Sequence, residues 1–215
     1  MYYNLRIQAS VFEEEAKNQI ICVAPPPATW VIMMQLKGKI SGIARTAIFI
    51  ALLIVLQAGT SLLGNTILTG SVVNMMLIVS VMTCGILPGI SVGAVSPVIA
   101  KLIGIGPLWS IIPFIVAGNI VLACIWHMAG NRRAAHPFAV RTAALLLAAA
   151  AKSLVLYVGI VRIAVPLLLD LTEQQSAVIS GMFSFPQLIT ALIGGAGAMA
   201  VFPRVKKAAA EETPH

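Results

Sequence analysis

From Asn65 to Asn119 the chain carries one charged side chain, Lys101, and otherwise reads NTILTGSVVNMMLIVSVMTCGILPGISVGAVSPVIAKLIGIGPLWSIIPFIVAGN. Glycine and proline punctuate it at intervals of about one helix. Apolar runs of about 18 or more residues with few charges mark membrane helices. The stretch therefore predicts two membrane helices and the start of a third. Its polar residues Ser71, Asn74 and Asn119 are placed for a ligand and not for lipid.

Composition extends this to the whole chain. Of 215 residues, 59% are hydrophobic and 10% charged, against about 25% charged in an average soluble domain. Aromatic content is low at 6%, and the alternating segments of about ten residues that mark a membrane β-barrel are missing. The predicted class is an all-α integral membrane protein in one domain. A net charge of +7 raises nucleic-acid binding, but the basic residues sit between apolar spans and not on a soluble face. There they set orientation and meet anionic lipid, so no nucleic-acid partner is expected. Cys22, Cys84 and Cys124 are scattered singly, as buried small hydrophobes are, without metal-ligand or disulfide spacing.

Residues 1–36 differ from the rest. Glu13, Glu14 and Glu15 form an acidic run, and Pro25, Pro26 and Pro27 interrupt any helix. The basic start, apolar run and cleavage site of a signal peptide do not occur in order. The segment is expected to be a poorly ordered leader, with translation starting near Met33 or Met34. Residues 37–207 are expected to form the membrane domain, and 208–215 a disordered tail.

Six spans are predicted, at about 43–63, 69–86, 90–103, 108–128, 139–169 and 177–202. Pro88 and Gly89 read as a tight turn, Pro107 as a helix start and Pro113 as a kink. Lys37, Lys39 and Arg45, then Arg132, Arg133 and Arg141, then Arg204, Lys206 and Lys207 all fall on one side. Lys101, Asp170 and Glu173 fall on the other. The positive-inside rule then places both termini in the cytoplasm.

The residues offer little for catalysis. The phosphate-binding Gly-x-x-x-x-Gly-Lys-Ser/Thr loop is missing. His127 and His136 lie near the cytoplasmic edge, and the apolar spans carry no paired carboxylates. Neither acid–base hydrolysis nor a metal site has its groups, so neither enzymatic activity nor a cofactor is expected.

A binding role fits better, because polar groups in hydrocarbon usually face a cavity or partner. Lys152 lies eleven residues beyond Arg141, about 16 Å along a helix, which is near mid-membrane. It either contacts a ligand or pairs with a neighbouring helix's carbonyls or hydroxyls. Arg162 lies about 80° around the helix from Lys152 and is either a ligand contact or a snorkelling interfacial residue. If both face the cavity, the ligand carries a carboxylate or another acceptor. Asn119 and Asn74 are ligand contacts or interhelical glue. Trp109 is a stacking wall or an aromatic-belt anchor. In the sixth span Phe183, Gln187, Thr190, Gly194 and Gly197 share a stripe, read as ligand wall in its outer half and packing surface in its inner half. Pro186 should loosen that helix and free a carbonyl. Together these predict a pocket open to the outside, with the loops at Gly64-Asn65 and Gly104-Pro107 as lids. In the first span Ala44, Ala47, Ala51 and Ala58 form a small-residue stripe suited to close helix packing.

Six spans with both ends inside, ARTAIFIA, LTGSVVNMMLI, the Pro-Gly-rich third span, PLWSIIPFIVAGN and FSFPQLITALIGG occur in that order. This set resembles the substrate-binding S component of energy-coupling factor (ECF) transporters, over about Lys39 to Lys207. It looks closest to the broad family of folate, pantothenate and hydroxymethylpyrimidine carriers. The resemblance implies a prokaryotic plasma-membrane protein that binds a vitamin or precursor from outside. It implies docking on a transmembrane coupling protein with two ABC-type ATPases, whose ATP hydrolysis topples the S component and releases substrate inside. Family members dock through Ala-x-x-x-Ala in the first helix, which matches Ala47 and Ala51. The leader has no role in that pattern. The His-bearing N-terminus of nickel- and cobalt-binding relatives is missing, so a metal substrate is not implied. The competing reading is a stand-alone membrane binder or small secondary carrier without ATPases.

Overall fold

The structure, a computed structural model, describes the backbone of residues 28–130 and 137–211. The expectations for residues 1–27, for the Arg132, Arg133 and His136 loop and for the last four residues lie outside the described residues. The chain divides into two units, Met1–Ser41 and Gly42–His215. The second unit holds the apolar helices and the cavity between them.

Among the described residues every regular element is helical. In chain order they are α1 (Ala28–Ser61), α2 (Thr66–Cys84), α3 (Ile86–Leu102), α4 (Ile112–Ile125), α5 (Pro137–Leu156), α6 (Val165–Leu168), α7 (Glu173–Met182) and α8 (Phe185–Glu211). A 3-10 turn, Trp109–Ile111, leads into α4, and π turns Trp126–Gly130 and Tyr157–Ala164 prolong α4 and α5. Five stretches have the length and hydropathy to cross a bilayer: Gly42–Ser61, Thr66–Cys84, Trp109–Gly130, Phe138–Leu168 and Glu173–Val205. The shorter α3 is also apolar. The chain is an all-helical bundle of membrane type.

Several boundaries differ from the sequence expectation, for local reasons. Helix α1 begins at Ala28, inside the expected leader, because no proline or glycine follows Pro27 until Gly38. The turn between the second and third spans is made by Gly85 at φ 92°. Pro88 and Gly89 lie inside α3 instead, since the first turn of a helix tolerates a residue without N–H. Pro113 stands in the first turn of α4 and starts that helix instead of kinking it. The sixth span is broken at Phe183 and Ser184 into α7 and α8. Pro186 cannot donate to the Met182 carbonyl four residues back, and the Gln187 Nε2 donates to it at 3.1 Å in its place.

The helices pack in two unlike halves. Helices α2 and α8 make the most extensive contact, α4 lies against α3 and α5, and α5 also meets α8. Gly194 allows the first of these: a Cβ there would meet the Ser71 carbonyl and come within 2.7 Å of the Asn74 Cβ. In one half Leu77, Ile78, Val81, Leu122, Trp126 and Ala148 form a fully buried apolar core. These come from the C-terminal parts of α2 and α4, the π turn after α4, and the middle of α5. The opposite half holds a cavity. Helix α1 is peripheral, with only 6% of its apolar window buried. Leu53 is buried in the core, whereas Ala44, Ala47 and Ala51 are exposed.

Candidate functional site

The site is built around Lys152, which α5 places in the middle of the bundle with 3% of its surface exposed. Its Nζ donates to Asn74 Oδ1 on α2 at 2.6 Å and to Asn119 Oδ1 on α4 at 2.7 Å. Both asparagines are 1% exposed, and each is turned by its own second bond. Asn119 Nδ2 donates to the Gly93 carbonyl at 2.9 Å. Asn74 Nδ2 reaches Thr190 Oγ1 at 3.4 Å, and that hydroxyl donates to the Gln187 carbonyl at 3.0 Å. With both amide nitrogens engaged, both amide oxygens are left facing the lysine.

Local chemistry explains why these partners meet. Pro97 stands four residues after Gly93 in α3 and has no N–H to give it, so the Gly93 carbonyl is open to Asn119. Pro186 opens the Met182 carbonyl to Gln187 in the same way. Close approach does the rest. A Cβ on Gly93 would lie 3.1 Å from the Asn119 Cβ, tighter than side chains normally pack.

Above the triad lies a cavity of about 570 Å³, within the range of small-molecule sites. Asn74, Asn119 and Lys152 form its floor. Ile111, Leu156, Ile179 and Phe183 give it apolar walls, and Ser96 adds a hydroxyl. Its mouth is formed by Asn65 and Thr66 at the start of α2, and by Lys101 and Pro107 at and beyond the end of α3. Asn65 caps α2 by accepting from the Ile67 and Leu68 amides at 3.0 and 3.1 Å. Gly64 and Gly104 turn the two rim loops at φ 66° and 83°, a region open to glycine at little cost.

Of the residues singled out in the sequence, Asn74, Asn119, Lys152, Phe183 and Gln187 line this cavity. Trp109 and Arg162 do not. Trp109 sits in the 3-10 turn, where about three residues complete a turn; this sets Ile111 inward and leaves Trp109 exposed. Arg162 follows the change to π geometry at Tyr157. Each wide turn takes in an extra residue, so later positions fall behind the α register. Arg162 emerges exposed, its guanidinium 5.7 Å from the Tyr157 ring centroid, within cation–π range. The sequence reading missed Ser96 and Lys101 as cavity-lining residues, and the Gly93 carbonyl as the partner of Asn119. Proline four residues after glycine was the available signal for Gly93.

No protein-family model, curated protein or solved structure matches this chain.

Proposed function

We propose that the chain is the substrate-binding S component of an ECF-type importer. In this reading it takes a vitamin or vitamin precursor from outside the cell and docks on a coupling protein with two ABC-type ATPases. The observation that carries the reading is the one-ended cavity. It descends from the rim loops to the Asn74–Lys152–Asn119 floor and meets a tightly packed core in the other half. Such a shape holds a small molecule and needs another component to release it on the far side. Polar groups buried at membrane depth are costly unless they serve a site.

Orientation follows from charge. Arg45, Arg141 and Arg204 lie near the ends of the apolar spans Gly42–Ser61, Phe138–Leu168 and Glu173–Val205 at the packed half, and Lys101, Asp170 and Glu173 lie at the cavity half. With six spans in a prokaryotic plasma membrane, both termini lie in the cytoplasm and the cavity opens outward. The exposed Ala47 and Ala51 are then free to meet the coupling protein, where small side chains let helix backbones approach.

The test is affinity purification of the tagged full-length chain from native membranes, with uptake measured in proteoliposomes. A coupling protein and two ATPases should co-purify, and uptake should require ATP. Import by the chain alone, with no ATPase bound, would instead establish a small secondary carrier.

A further inference from the structure

Among the described residues, the Lys152 amine at the floor of the cavity has nothing of opposite charge beside it. Both hydrogen-bond partners of Lys152 are neutral amide oxygens. Of the residues lining the cavity, the charged ones are Lys101 and Lys152, both cationic. Asp170 and Glu173, the acidic residues whose burial the structure describes, lie exposed around the start of α7. A buried charge is ordinarily paired. Here the amine is held by two amide dipoles, and neither carries a charge. An ammonium has three donors, the asparagines take two, and Lys152 itself borders the cavity.

We infer that the missing counter-ion belongs to the ligand: the substrate carries a carboxylate that enters first and takes the third N–H of Lys152 at the cavity floor. This rests on the small-molecule binding role proposed above and names the chemistry of that ligand. A carboxylate fits better than a phosphate because the floor offers one free charged donor. The amide nitrogens of Asn74 and Asn119 are engaged elsewhere. A phosphate dianion calls for several such donors. The rest of the molecule follows from the walls. Above the carboxylate, Ile111, Leu156, Ile179 and Phe183 take an apolar or ring-shaped body. At the mouth Asn65, Thr66 and Lys101 meet a polar end. Gly93, level with the floor, and Lys101 are eight residues apart on α3, or about 12 Å along the helix. A ligand that meets both ends spans about that separation. The order of the groups matters: a carboxylate held at the mouth by Lys101 would leave Lys152 uncompensated.

The experiment uses the full chain purified in detergent, and it has two readouts. Thermal stability is measured with matched carboxylate and neutral compounds: nicotinate with nicotinamide, pantothenate with panthenol, and lipoate with lipoamide. Small molecules retained through purification are identified by mass spectrometry in both ion polarities. At least one carboxylate should stabilise the wild type more than its neutral partner, and the retained compound should bear a carboxylate. Lys152→Met should lose that preference and retain at least tenfold less compound. Lys152→Arg, which keeps the charge, should keep the preference at lower affinity. The inference is overturned by a retained compound without an anionic group, or by equal retention in Lys152→Met. Loss of the preference in Lys101→Met but not in Lys152→Met overturns it too, as does the lack of any carboxylate that outperforms its neutral partner. Co-purification of the ATPases is scored separately. ATPases with a neutral ligand would remove only this inference, and a carboxylate ligand without ATPases would remove only the transporter assignment.

Discussion

Lys152 shows how much a neutral partner leaves undone. Asn74 and Asn119 satisfy two of its donors at 2.6 and 2.7 Å yet contribute no charge. Asn74→Asp would install an internal counter-ion at the same place. Its expected effect is ligand-free protein at least as stable as the wild type, with carboxylate binding weaker by about tenfold or more, a difference of about 1.4 kcal/mol. Calorimetric titration with the retained compound, alongside a thermal melt of the ligand-free protein, checks both. Gly194 is a second residue on which the site depends. Gly194→Ala would drive a Cβ to 2.9 Å from the Met75 amide nitrogen and against the Ser71 carbonyl. Overpacking of this kind costs about 1–3 kcal/mol, more where backbone must move. Gly181 has nothing within 4 Å, so Gly181→Ala should melt near the wild type.

At the scale of elements, the site depends on helix ends and interruptions. The start of α2 is held by Asn65 accepting from two amides, and the same residue lines the mouth of the cavity. Asn65→Ala should cost about 1 kcal/mol. It should speed hydrogen exchange in the first turn of α2 and leave the core segment Met76–Val81 protected. Uniform exchange across α2 would contradict a local capping role. The interruptions share one device. Pro97 and Pro186 each leave a carbonyl without its helical donor, and an amide side chain that lines the cavity takes it: Asn119 in one case, Gln187 in the other. The prolines thereby orient side chains that line the cavity.

At the scale of the molecule, one half of the Gly42–His215 unit is solid and the other hollow, and the Gly42–Ser61 stretch of α1 stands largely uncovered. The proposed division of labour is that the hollow half binds and α1 docks. Replacing both Ala47 and Ala51 with Leu should abolish ATP-dependent uptake and complex assembly while leaving ligand affinity unchanged. Binding lost together with assembly would place these residues in the fold instead. Orientation is checked by single cysteines in a cysteine-free background. Leu102→Cys at the cavity end should react with an impermeant maleimide in intact cells. Phe138→Cys, at the other end, should react only after permeabilisation.

Much of this was legible in the sequence. Hydropathy and length alone determined that the chain is an all-helical, membrane-type bundle, since backbone polar groups in lipid must be satisfied within helices. Lys152, Asn74, Asn119 and Gln187 stood out because polar side chains are conspicuous in apolar spans. Tertiary structure decided which of them meet. A helical wheel assumes one periodicity, and the π turn at Tyr157 carries Arg162 away from the cavity, while the 3-10 turn at Trp109 leaves that ring outside. Nor does a wheel show that the two asparagines point their oxygens at one ammonium. That depends on the Gly93 carbonyl freed by Pro97, on the Thr190 hydroxyl of α8, and on Gly93 being small enough for Asn119 to approach. The sequence by itself determined the class of protein and its polar inventory. Only packing across helices far apart in the chain decided that the inventory closes around a lysine amine held by two neutral amides.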